Sequence, residues 1–76
     1  MPDETKLATL HKQCLETLHD YMREANKMCS LLESIHDFPL TVKEQIALTT
    51  QRQAEYVAHQ AYHQVRKRLF ERLKEI

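Results

Sequence analysis

Hydrophobic residues recur along the first half of the chain at alternating steps of three and four. Leu7, Cys14, Tyr21, Met28 and Ile35 form one column, and His11, Leu18, Ala25 and Leu32 form a second. That spacing is the signature of a helix that buries a heptad stripe, and it predicts one helix over about residues 3–36. A third column, Ala8, Leu15, Met22, Cys29 and His36, is also largely apolar, with Leu10 and Leu31 on the opposite flank. A stripe that wide suits a helix with two neighbours.

The pattern breaks once. Pro39 cannot continue a helix, because it lacks the amide hydrogen and its ring clashes with the preceding turn, so residues 37–40 read as the turn. Thr41 and Glu44 then stand at the spacing of a capping box, in which each side chain reaches the other's main-chain amide. A second helix is expected over about residues 41–75. Its inward face reads Ile46, Ala47, Thr50, Ala54, Val57, Ala58 and Ala61, then Tyr62, Val65, Leu69, Leu73 and Ile76. So short a connection makes the two helices antiparallel neighbours.

Composition narrows the fold class. The chain has 76 residues, two prolines and no glycine. Sheets and hairpin turns use glycine wherever φ must be positive, so its absence points to an all-α fold. The expectation is a single domain spanning residues 1–76, a hairpin of two long antiparallel helices. A lone domain of this size has a marginal core, so two hairpins are expected to pair as a homodimeric four-helix bundle.

Eleven Lys and Arg balance eleven Asp and Glu. This neutral total gives no overall attraction to nucleic acid or to an anionic membrane. The charges are nevertheless divided: residues 1–40 hold seven acids and four bases, residues 41–76 four acids and seven bases. Helices of opposite charge complement one another within a chain and between copies. No apolar run is long enough to span a bilayer, and the opening residues are polar and acidic, which predicts a cytoplasmic protein. Cys14 and Cys29 lie about 22 Å apart on one helix, too far for a disulfide, and read as buried, reduced thiols.

The most distinctive motif lies on the second helix. Arg52, Tyr56, His59, His63, Arg66 and Phe70 follow one another at steps of four and three, forming a line well away from Ala54 and Ala61. Aromatic rings and histidines on the outer face of so small a hairpin predict a partner-binding surface. The partner is expected to be a second copy or another helical protein, with the Leu15, Met22 and Cys29 column filling the same interface. Phe38 and Leu40 would close the turn end.

Other chemistries are less well supported by the residues. Glu55, His59 and His63 could line up metal ligands along one helix face, but Cys14 at the same height faces the hairpin interior, so no metal centre is expected within one chain. The basic residues Arg66, Lys67, Arg68, Arg72 and Lys74, with Tyr62 or Phe70 for stacking, could bind nucleic acid. Cations at the end of a helix also complement its dipole, and here they would sit beside Asp3 and Glu4. Without glycine there is no phosphate-cradling loop, and a two-helix hairpin offers no cleft for a catalytic triad. The chain is therefore expected to be a non-enzymatic interaction or adaptor module with no cofactor and no small-molecule substrate.

Overall fold

The computed structural model describes residues 2–75, the side chains of residues 2–4 excepted. Helix α1 spans Pro2–Ser34 and helix α2 spans Val42–Lys74. They lie against each other in a hairpin with extents of 57 × 14 × 14 Å. The fold is all-α, and the hairpin is the one the periodicity implies. None of its helices is long and apolar enough, among the described residues, to cross a membrane.

The connection explains itself locally. Helix α1 ends at Ser34, two residues sooner than expected, where the Ile35 amide donates to the Leu32 carbonyl and the Ser34 hydroxyl closes on the Leu31 carbonyl at 2.7 Å. These bonds tighten the last turn and use up carbonyls that a continuing helix would need. The Phe38–Pro39 peptide bond is cis. No described residue has a positive φ, so the turn is built without the backbone conformation that would call for glycine. The capping box forms as the sequence implies: the Glu44 amide donates to the Thr41 hydroxyl at 3.1 Å, and the Thr41 amide to the Glu44 carboxylate at 2.9 Å.

The columns that face each other differ in part from those expected. On α1 the half-buried residues are Leu7, Leu10, Cys14, Thr17, Leu18, Tyr21, Glu24, Ala25, Met28 and Leu31, followed by Ile35 just past its end. The column of Leu7, Cys14 and Tyr21 is as expected. Its closer companion is the column of Leu10, Thr17, Glu24 and Leu31; of the expected column Leu18 and Ala25 are half-buried, whereas His11 and Leu32 are exposed. Because α1 is apolar in four columns, any adjacent pair of them satisfies a heptad, and the choice falls to what α2 can offer.

On α2 the inward residues are Glu44, Leu48, Gln51, Glu55, Ala58, Tyr62, Val65, Leu69 and Arg72, at steps of four and three throughout. Ile46, Thr50, Val57, Ala61 and Leu73, expected inside, are exposed, whereas Ala47, Ala54, Ala58, Tyr62, Val65 and Leu69 are half-buried. Expected inward residue Ile76 and the pairing of Asp3 and Glu4 with the C-terminal cations lie outside the described residues. The inward face therefore carries long polar side chains whose stems cover apolar neighbours while their heads reach outward. Thr17 fits the interface by turning its hydroxyl back onto the Gln13 and Cys14 carbonyls.

No described hydrophobic residue is fully buried. Two helices can shield each other on one side only, so this hairpin has an interface and no enclosed core.

Candidate partner-binding face

An antiparallel pair has a simple geometric property. The chain direction reverses between the helices, and with it the sense of rotation, so the columns one residue beyond the inward columns lie on the same side of the hairpin. On α1 those columns are His11, Leu18, Ala25 and Leu32, with Ala8, Leu15, Met22 and Cys29 one step further out. On α2 they are Arg52, His59, Arg66 and Leu73, with Tyr56, His63 and Phe70 further out. All six residues of the α2 line thus share one broad face with the surplus apolar columns of α1.

The face is open and rich in large side chains. Leu15, Met22 and Leu32 are 43%, 51% and 57% exposed, and Tyr56 and Phe70 are 59% and 49% exposed. The α1 half has no charged residue in either column, and the α2 half has only Arg52 and Arg66. Phe38, at the turn end, is almost wholly exposed, and Leu40 is half-buried.

Ring contacts set the positions of the histidines. The Tyr21 ring, which lies between the helices, meets His59 edge-on at 5.1 Å and stacks with Tyr62 at 6.3 Å. His59 and His63 lie with nearly parallel rings 6.2 Å apart, and the Arg66 guanidinium sits 5.3 Å over the Phe70 ring. Such edge-to-face and cation–π contacts favour one arrangement of each side chain. Arg52, Glu55, Tyr56 and His59 also border a shallow groove that ends on Tyr21.

Glu55, His59 and His63 diverge. Glu55 is half-buried between the helices while both histidines stand on the outer face. Among the described residues no three His, Cys, Asp or Glu side chains gather as a metal-ligating group. Cys14 is half-buried as expected, but Cys29 is exposed, because its column faces away from α2. The Cys29 thiol donates to the Glu33 carboxylate at 3.4 Å, and that bond and charge push its pKa up, away from thiolate chemistry.

The opposite side is different in character. There α1 presents Asp20 and Arg23, ion-paired at 3.3 Å, beside Thr50, Ala54, Val57 and Ala61 of α2, which line an open groove. The described ion pairs Lys27–Glu24 and Arg72–Glu75 likewise join residues three apart in the chain, each pairing a half-buried group with an exposed one, and do not link the helices. Sequence reasoning did not single out Glu24 and Gln51, which join the helices. Their only signal is polarity inside an otherwise apolar heptad position.

Compared with known proteins, the chain matches no family model, no curated protein and no solved structure. Its function is therefore read from the chemistry of its own faces.

Proposed function

We propose that this chain is a small, non-enzymatic interaction module that works by presenting the face described above to another helical surface. The observation that carries the reading is the coincidence on one side of two independent features. These are the uncharged apolar columns of α1 and the Tyr56, His59, His63 and Phe70 line of α2. Scattered exposed apolar residues are ordinary on a protein surface, but columns that keep heptad spacing along both helices match the pattern of a buried helix-to-helix contact. The reading places the module in the cytoplasm, a compartment suited to its two free thiols.

The test is the mass of the assembly that holds the chain in its own cells. Native mass measurement after gentle extraction should find the wild type above its 9.1 kDa chain mass. Tyr56→Glu/Phe70→Glu should release it as the single chain. Recovery of wild type and variant alike at 9.1 kDa would contradict the reading.

A further inference from the structure

Resting on that reading, we infer that the occupant of the face is a second copy of this chain, related by a two-fold axis parallel to the helices. In that arrangement α1 of each chain lies on α2 of the other.

Area supports a partner of that size. The chain exposes 6221 Å², whereas a compact monomer of this mass exposes about 4,900 Å². The excess is well over the roughly 800 Å² per partner that a standard stable interface removes. A second hairpin, with the same length and the same broad face, covers the full length of the columns.

Charge selects the arrangement. Two hairpins can stack face to face with their two-fold axis either parallel to the helices or across them. An axis across the helices lays α1 on α1 and α2 on α2. Arg52 then comes to face the partner's Arg66, like charge against like charge. The parallel axis instead lays Arg52 and Arg66 on the partner's α1 columns, which carry no charge, so no like charges meet within the face. Every neighbouring pair of helices is antiparallel in both arrangements, so the helix dipoles do not separate them and the choice rests on Arg52 and Arg66.

Rotation about an axis parallel to the helices preserves height, so each side chain meets the partner's residue that already stands level with it. The register is fixed by Tyr21 beside His59 and Tyr62, and by Glu24 beside Gln51. It puts Met22 level with Tyr56 and Leu15 level with His63. Within one chain these residues point to opposite outer edges of the face, too far apart to touch. Across the axis Met22 covers the partner's Tyr56, a favourable sulfur–ring pairing, and Leu15 covers the partner's His63.

Disulfide mapping tests the arrangement. In a Cys14→Ala/Cys29→Ala background whose helicity is checked by circular dichroism, a chain carrying Met22→Cys is mixed with one carrying Tyr56→Cys and oxidised. Leu15→Cys mixed with His63→Cys serves as a second pair. Most of the material should run as a disulfide-linked pair in both mixtures and return to single chains on reduction. Linkage confined to a mixture of Leu15→Cys with Met22→Cys would mark α1 stacked on α1 and overturn the inference, as would the absence of linkage in all mixtures. A purified chain that stays single and unlinked, while the cellular assembly persists, removes the second copy and leaves the interaction reading standing. A single chain in both settings removes both.

Discussion

Gln51 ties the two helices together at mid-length, its side-chain amide donating to the Glu24 main-chain carbonyl at 2.9 Å and to the Glu24 carboxylate at 2.8 Å. Both residues stand in inward columns among Tyr21, Met28, Leu48 and Ala58. A polar pair in a heptad interface costs stability compared with apolar packing, but it is satisfied in only one register. Here it fixes which of the apolar columns of α1 faces α2, and therefore which columns are left for the outer face. Replacing Gln51 by alanine should lower the melting temperature by a few degrees. It should also let the Glu24 carboxyl titrate nearer the ordinary glutamate value, which carbon-detected NMR titration would follow. An unchanged Glu24 midpoint would show that the bond does not persist in solution.

Acid should loosen the hairpin through two identifiable groups. Donation from Gln51, aided by Lys27 and Arg23, holds the Glu24 carboxyl below its ordinary range, and donation from the Thr41 amide and hydroxyl does the same for Glu44. A carboxyl with a depressed folded-state pKa adds stability that is present above its unfolded value, about 4.3, and lost as pH falls through the folded value. Thermal midpoints should therefore be flat above about pH 5 and fall below it. A double variant, Glu24→Gln/Glu44→Gln, should show a weaker decline over the same acid range.

The capping box gives a third expectation. Thr41→Ala removes the acceptor for the Glu44 amide and should cost about 1 kcal/mol, read by chemical denaturation. Thr41→Ser keeps the hydroxyl and should restore most of it. Equal loss in both variants would assign the effect to something other than the cap.

Leu31 and Leu32 are adjacent in sequence but should behave differently. Leu31 is half-buried against α2, so Leu31→Ala should destabilise the isolated hairpin by about 2 kcal/mol, near the low end for leucine truncation. Leu32 lies on the outer face, so Leu32→Ala should leave the melting of the dilute single chain nearly unchanged and weaken assembly at higher concentration. Indistinguishable behaviour would contradict the assignment of columns.

Much of this architecture is legible in the chain. Missing glycine, Pro39 and the Thr41 and Glu44 pair place two helices and their turn because each acts through local backbone chemistry. The Arg52 to Phe70 line is legible because its spacing alone puts six side chains on one side of a helix. What the sequence conceals is the choice among columns. Leu31 and Leu32, or Leu10 and His11, are neighbours in the chain, and either member of each pair extends a heptad. Ala61 and Val57 look inward by apolarity, yet the hairpin turns them out and half-buries Gln51, Glu55 and Arg72. Only the partner helix breaks that tie, and its polar Gln51 gives no apolar signal to read.

Sedimentation equilibrium of the purified chain over a range of concentrations tests the self-docking face most directly. The expected result is a mass of twice 9.1 kDa for the wild type at micromolar concentration and above, and 9.1 kDa for Tyr56→Glu/Phe70→Glu. A wild-type chain that remains at 9.1 kDa across the whole range would contradict it.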